Sequence, residues 1–403
     1  MRIALVTNRF PILSETFIYN HAAGLRAAGL DVTVVATTPV DDPYHVDDSA
    51  MFQQLGGPQF EGPIRHVVLA RGLAQTARNA ASRLLGASAR DLALWDAARA
   101  RFGRSRRAIR AWMYALSLAD FEVVHFEYSG LAISFVDAIP LLAPARVFVS
   151  CRGSAERITP LLVPTRANEL REMFALVDRV HCVSADMLRT CESYGLDRAK
   201  AFVNHPAVVA ERFTRTTPRA MRTTGPYRLV STGRLIWAKG LEFALLAVRE
   251  VLDRGYDVRY EIIGSGPEEE RLRYAVHDLR LEKHVTLTGR LSPAEVRAVL
   301  DDADLYLLPS VSEGMSNAAL EAMAMQLPVI STTAGGMAEA ISDGVDGVLV
   351  PSRAPHEMAR AIETLLEAPA RREELGRAAR QRIEREFSLE RQIAVFVAAY
   401  GAT

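Results

Sequence analysis

Short apolar runs alternate with helical stretches through this 403-residue chain, and the whole pattern is played twice. In the first half, Ile3–Val6, Val32–Ala36, Val123–Phe126, Val147–Ser150 and Arg179–Val183 read as strands. Thr16–Ala28 and Thr165–Leu176 carry helical spacing between them. A polar, proline-punctuated passage from Thr214 to Pro226 follows and is the linker candidate. The alternation then restarts. Arg228–Ser231, Val258–Ile263, Val285–Thr288, Leu305–Leu308, Pro328–Ser331 and Gly347–Val350 read as strands, with helices over Gly240–Arg254 and Pro267–Arg280. Strands that alternate with helices form parallel sheets covered on both faces. The expected class is therefore α/β, two Rossmann-like doubly wound domains facing a cleft. The bounds are 1–210 and 211–385, with a last helix in 386–403 crossing back to the first domain. Ligands of such sheets sit at the carboxyl ends of the strands.

Composition excludes several classes. The 48 basic and 48 acidic residues cancel, so charge points to no nucleic-acid partner. Cys151, Cys182 and Cys191 are odd in number and fit no zinc spacing, which suits a reduced, cytoplasmic setting. The opening MRIALVTNRFP has too short an apolar run for a signal peptide and reads as a first strand. No window of about 20 apolar residues stands out as a membrane span. One local bias remains. Between Arg71 and Arg110 there are ten arginines against two aspartates, interleaved with Leu92, Trp95, Phe102, Ile109 and Trp112. Residues 71–112 thus read either as a basic amphipathic surface for an anionic membrane or as a solvated face whose apolar side packs inward.

The densest chemistry lies in SEGMSNAALEAMAMQLPV, which ends at Val329. The run Leu305–Leu308 is broken by Pro309, and Gly314-Met315-Ser316-Asn317 then opens a helix. Unpaired N–H groups and the helix dipole favour an anion there. Glu313 on the loop and Glu321 eight residues on flank that end. This arrangement suits a ligand with a phosphate and several hydroxyls. The plainer alternative makes Ser316 or Asn317 an ordinary N-cap and Glu321 a solvated helix residue.

Two further loops follow predicted strands. Gly233-Arg234-Leu235-Ile236-Trp237-Ala238-Lys239-Gly240 sets a guanidinium and an ammonium five residues apart on a glycine-bounded loop, able to clamp a diphosphate. Alone, such a pair would more often be a solvated ion pair. Ile262-Ile263-Gly264-Ser265-Gly266-Pro267 lacks the full dinucleotide fingerprint, but its turn lets a base or ribose approach the backbone. Gly289-Arg290 after the next strand either frames the base or is a simple turn.

In this order and spacing, GRLIWAKG, IIGSGPEEERL, SEGMSNAALEAMAMQLPVI and TTAGGMAEAISDGVDGVLV resemble glycosyltransferase family 4, which has the GT-B fold. The resemblance spans most of residues 228–352. The opening TNRFPILSETFIYN is similar to the branch that builds colanic acid and other bacterial exopolysaccharides. The resemblance implies a retaining transfer from a UDP- or GDP-sugar to a glycan or lipid-linked acceptor. It implies no cofactor and no metal. Arg234 and Lys239 would hold the diphosphate, with Gly233 beside them. Glu321 would bond the ribose hydroxyls, and Glu313 would face the donor sugar. Backbone N–H groups of Gly314, Met315, Ser316 and Asn317 would hold sugar hydroxyls or the β-phosphate, and Arg290 and Gly264 would lie near the base. The implied place is the cytoplasm, at the inner face of the membrane.

The chain departs from the family in places. Asn8-Arg9-Phe10-Pro11 stands where a glycine-rich loop is frequent, and Ser14-Glu15-Thr16 opens a helix that can replace it on the phosphate or acceptor side. Arg152-Gly153 stands where a His-Gly pair is frequent, so a catalytic histidine is absent there, while the arginine keeps the pair on the acceptor or phosphate side as a binder of a donor phosphate or an acidic acceptor. His125 is a second candidate near the cleft, or else a buried strand-end residue. Gln326 takes the place of a glycine before Leu327, with a small packing change expected. Two other functions compete: transfer to a small soluble acceptor such as a natural product, and non-catalytic binding of a nucleotide sugar.

Overall fold

The computed structural model describes residues 1–10, 15–37, 62–67, 87–215 and 221–401. Ser14 and residues 71–86 of the arginine-rich region lie outside them. The chain divides into two compact units. The first comprises residues 1–183, 187–204 and 393–403, the second 184–186 and 205–392. The second unit thus begins at His205, before the polar passage at Thr214. Residues 208–213 are tied into it because Val208 N–H donates to Phe387 O (2.9 Å) and Arg380 donates to the carbonyls of Ala210 and Phe213.

In the first unit seven strands form one parallel sheet: β1 Arg2–Thr7, β2 Asp31–Ala36, β3 Ile64–His66, β4 Val123–Phe126, β5 Arg146–Cys151, β6 Arg179–Cys182 and β7 Ala201–Val203. Their order is β3-β2-β1-β4-β5-β6-β7. The central strands are apolar without alternation because helices cover both faces; β4 is buried at every position. The helix Thr16–Ala27 lays Ile18, Ala22 and Leu25 inward. Gly24 on it is forced by packing, since a Cβ there would lie 2.6 Å from Ile393 Cδ1 on the last helix.

The second unit has six parallel strands: β8 Tyr227–Thr232, β9 Val258–Ile263, β10 Val285–Gly289, β11 Leu305–Leu308, β12 Val329–Thr332 and β13 Val348–Val350. They run β10-β9-β8-β11-β12-β13. The helix Leu241–Asp253 buries Leu241, Ala244, Leu245, Val248 and Val251, the three-and-four spacing of a single core-facing stripe. The helix Pro293–Asp302 starts with a capping box, Ser292 Oγ accepting from Glu295 N–H while Glu295 accepts from Ser292 N–H.

Both sheets reverse strand order at their middle, between β1 and β4 and between β8 and β11. Such switch points leave an open crevice at the carboxyl ends of the two strands.

Gln326 differs from the packing change expected for it. It sits just past the helix Asn317–Ala324 with φ +57°, in the left-handed region. Leu327 N–H closes back onto Ala322 O (3.1 Å), the usual helix stop that glycine serves best. The consequence of losing glycine is therefore backbone strain.

Candidate active site

The loop after β8 and the loop after β11 meet at the switch point of the second sheet. Ala238 O accepts from both Val311 N–H (2.8 Å) and Ser312 N–H (3.1 Å), which joins the two loops. Gly240 makes the approach possible. Its φ is +58°, and a Cβ there would lie 2.4 Å from Pro309 O. The junction sets Lys239 Nζ 2.6 Å from Glu313 Oε2. Ser310 Oγ donates to the same carboxylate oxygen at 3.2 Å. The Lys239 stem lies over Gly233, where a Cβ would be 3.4 Å from Lys239 Cε.

The turn after β9 abuts the turn after β8. Leu235 N–H donates to Ser265 O (3.0 Å) and Gly233 N–H to Ile263 O (3.0 Å). A Cβ on Gly264 would fall 1.8 Å from Gly233 O, so only glycine fits. Arg290, from the turn after β10, donates through Nε to Ser265 Oγ (2.8 Å). A pocket opens here, lined by Thr232, Gly233, Arg234, Lys239, Ile263 and Pro309. Arg234 is exposed, and its guanidinium makes no hydrogen bond or ion pair among the described residues.

Ser316 caps the helix Asn317–Ala324, its Oγ accepting from Ala319 N–H (3.3 Å). Beneath this loop lies a contact that the sequence did not disclose. Gly336 N–H donates to Gly314 O (2.7 Å), and Gly335 passes so close that a Cβ would fall 1.8 Å from Glu313 O. The Gly-Gly pair of TTAGGMAEA therefore buttresses the Glu313–Gly314 backbone. Glu321 is half-buried and its carboxylate has no hydrogen bond or ion pair among the described residues. Burial without a neutralising neighbour pushes its pKa up to about 7. It lies near the buried Tyr306 phenol, whose own pKa burial raises first and the charges of Glu321 and Glu313 raise further.

The second unit thus gathers Gly233, Arg234, Lys239, Gly264, Arg290, Glu313, Gly314, Met315, Ser316, Asn317 and Glu321 on the carboxyl-end loops of β8–β11 and the helix that follows. A carboxylate beside an ammonium, an uncommitted guanidinium and a capped helix start can hold a diphosphate and polar hydroxyls. Among the described residues no group of three or more histidines, cysteines or carboxylates is placed to hold a metal ion.

The first-unit candidates fare differently. Glu15 precedes the helix Thr16–Ala27 and accepts from the Tyr128 phenol, whose pKa it helps burial to raise. His125 is fully buried on β4, which matches the strand-end alternative and removes it from any surface. Its neighbours form a directed hydrogen-bond chain. His181 Nε2 donates to Asn204 O (2.7 Å), so Nδ1 accepts from Ser150 Oγ (2.7 Å). Ser150 accepts from His125 Nε2 (2.9 Å), and His125 Nδ1 accepts from the Tyr400 phenol. Burial pushes His125 down to about 3, Glu127 opposing and His21 reinforcing, so its ring stays neutral.

Arg152 is likewise committed inside the unit rather than open to a phosphate. Its guanidinium pairs with the fully buried Glu127, whose other oxygen bonds His21 Nδ1 (2.7 Å), and stacks 4.3 Å over Phe17. Burial would raise Glu127, but His21 and Arg152 more than offset it and hold the carboxylate well below the usual range. Gly153 donates its N–H to the buried Glu156 (3.1 Å), opening the short helix Ser154–Arg157.

Comparison with known proteins bears on the fold and the family. Residues 14–212 match the model Glycosyltransferase Family 4, and residues 216–382 match Glycosyl transferases group 1. The solved structure of HepE from Anabaena, determined with UDP and glucose, superposes with a TM-score of 0.76 at 13% identity over 100% of both chains. The structure of TarM superposes at 0.74 and 12% identity over 100% of this chain and 99% of that one. Two Rossmann-like units of this kind define a glycosyltransferase of the GT-B fold. The chain belongs to glycosyltransferase family 4. Among its relatives, WcaL of Salmonella typhimurium, assigned to colanic acid biosynthesis, is 29% identical over 90% of each chain. The amylovoran biosynthesis glycosyltransferase AmsK of Erwinia amylovora is 28% identical over 96% of each chain.

Proposed function

We propose that the chain transfers a sugar, with retention of anomeric configuration, from a nucleoside-diphosphate sugar to a glycan or lipid-linked acceptor in the assembly of a bacterial exopolysaccharide. The observation that carries this reading is the Lys239–Glu313 pair at the switch point, beside the uncommitted Arg234. In the proposed reaction the bond from the sugar C1 to the β-phosphate oxygen breaks, and a bond from C1 to the acceptor oxygen forms on the same face. The acceptor hydroxyl gives its proton to the departing phosphate. Arg234 and Lys239 stabilise the charge that builds on the diphosphate, which a site shielded from water strengthens. They supply the counter-charge that a metal would otherwise bring, so the reaction is assigned no metal. Glu313, held by Lys239 and Ser310, faces the donor sugar, and the N–H groups of Gly314, Met315 and Asn317 receive its hydroxyls; the buried Ser316 N–H is taken by Met337 Sδ (3.4 Å) and drops out of that set. Glu321 accepts from the ribose diol, which gives its otherwise unpartnered carboxylate two donors. Gly264 and Arg290 border the base, and Glu15 and Thr16 stand on the acceptor side.

The similarity to a structure holding UDP and glucose makes uridine the first base to test. The names of the WcaL and AmsK relatives support exopolysaccharide assembly. No helix among the described residues is long and apolar enough to cross a membrane. The arginine-rich helices support a peripheral place at the inner membrane face. Turnover of UDP-glucose and UDP-galactose with anomeric configuration read by NMR tests the reading. An α-linked product from an α-linked donor supports it, and an inverted product refutes it.

A further inference from the structure

The helices Ala89–Phe102 and Arg106–Leu118 form a hairpin that turns at Gly103. Apart from Arg101, whose guanidinium lies over the Phe102 ring at 5.7 Å, their arginines fall into two groups. Arg107 and Arg110 are neutralised by the buried Asp137, at 2.6 and 3.0 Å, and Arg90 by Asp120 at 2.9 Å. Arg99, Arg104 and Arg106 have no carboxylate partner among the described residues, and the exposed Asp96 on the same hairpin pairs with none of them. Those three, with Trp95, Ser105 and Ile109, line one pocket. Arg99 stacks over Trp95 at 6.0 Å, and Leu92, one turn before Trp95, is 46% exposed. Three unneutralised cations beside exposed apolar surface match a ligand that is anionic at one end and apolar at the other. Trp95 and Ile109 are half-buried, packed on the core on one side, with Trp95 edge-on to Trp112 at 5.4 Å, and line the pocket on the other.

The position in the sheet adds to this. The helix Arg106–Leu118 buries Ala108, Ala111, Trp112, Ala115 and Leu118 against the core and leads into the start of β4. A helix of that length spans about 20 Å. Its end leads to Glu122, whose N–H donates to Arg2 O at the start of β1 (2.9 Å), so the helix runs back along the sheet and its first turn lies toward the carboxyl edge of the strands. That is the edge at which ligands of such sheets bind.

We propose that Arg99, Arg104 and Arg106, with Trp95 and Ile109, bind the phosphates and first chain carbons of an amphiphilic phosphate or diphosphate, the lipid end of the acceptor. The inference rests on the lipid-linked branch of the proposed function. Calorimetric titration of the full chain tests it with three probes: a water-soluble short-chain prenyl diphosphate, inorganic diphosphate, and phosphatidylglycerol vesicles. The prenyl diphosphate is expected to bind at least tenfold more tightly than inorganic diphosphate. Arg104→Ala/Arg106→Ala should lose that binding at least tenfold. Trp95→Ala should lose the preference for the chain while still binding inorganic diphosphate. A UDP titration of each variant serves as the control for folding and for the second unit. Equal binding by wild type and the double variant overturns the site. So does vesicle binding that survives the double variant with no prenyl diphosphate binding, which would mean a diffuse membrane face. Absence of UDP, GDP and ADP binding by wild type would instead refute the donor reading.

Discussion

Lys239 and Glu313 stand 74 residues apart in the chain, yet their Nζ and Oε2 atoms are 2.6 Å apart in the second unit. Each follows one of the two adjacent strands at which the sheet reverses order. In the proposed reaction this pair, with Arg234 beside it, is both the anion site and the brace for the carboxylate that faces the sugar. Replacing Lys239 by Ala removes a charge from the leaving diphosphate and frees Glu313. Turnover is expected to fall about 10²–10³-fold, the usual cost of losing one such donor. Lys239→Arg should recover little, because a planar fork does not reproduce a point charge at that distance. Steady-state kinetics with the accepted donor check both.

Glu321 gives a pH dependence with a defined sign. Its folded pKa, about 7, lies above the ordinary carboxylate value, so the folded state keeps the proton longer than the unfolded chain does. Its contribution to stability is therefore lost as pH rises from about 4.5 through about 7. In the proposed site only the carboxylate accepts both ribose hydroxyls. Nucleotide affinity should thus rise between pH 6 and 8, by less than one order of magnitude per pH unit. In Glu321→Gln the melting temperature above pH 7 should be higher than in wild type, and nucleotide binding weaker and flat with pH. Calorimetric titrations at pH 6, 7 and 8 decide it.

Gln326 in the left-handed conformation stores strain that glycine would release. The conformation costs a side chain about 1–2 kcal/mol, and glycine gives back about 0.4–1 kcal/mol through a freer unfolded chain. Gln326→Gly should therefore stabilise the protein by about 0.5–1 kcal/mol, a rise of about 1–4 °C in Tm. Scanning calorimetry of the single variant checks this, with turnover unchanged.

Tyr400 closes the buried chain that runs through His125, Ser150 and His181 to the carbonyl of Asn204. Tyr400→Phe leaves His125 Nδ1 buried without a donor, an expected loss of about 1–3 kcal/mol. Phe396→Ala, which also strips the ring stacked 4.0 Å from His21, should lose about 3–5 kcal/mol. Thermal unfolding orders the two, and UDP binding in the second unit should survive both.

The central strands were legible because burial on both faces makes them unbroken apolar runs. Val123–Phe126 and Leu305–Leu308 were read with the bounds the structure gives them. The edge strands Ile64–His66 and Ala201–Val203 were not, since three half-exposed residues leave no such run. Motif spacing singled out Arg234, Lys239, Glu313 and Glu321, and the structure sets the first three between β8 or β11 and the helix that follows each, and Glu321 within the helix Asn317–Ala324. What escaped depends on distant partners. Nothing in the sequence around Arg152 signals that Glu127 takes its guanidinium, or that Tyr400 meets His125. The buttress of Gly335 and Gly336 under Glu313 was hidden for the same reason, although a Gly-Gly pair soon after a strand is a signal of close backbone approach.

The most direct test of donor binding at the switch point is a thermal-shift titration of wild type and Lys239→Ala with UDP, GDP and ADP, with and without EDTA. A nucleotide that binds only the folded state at about a hundred times its Kd adds about 2.7 kcal/mol of stability. The expected result is a Tm rise of wild type with one nucleotide, unchanged by EDTA and largely lost in Lys239→Ala. No rise with any nucleotide, or an equal rise in the variant, would contradict a diphosphate site built on Lys239 and Arg234.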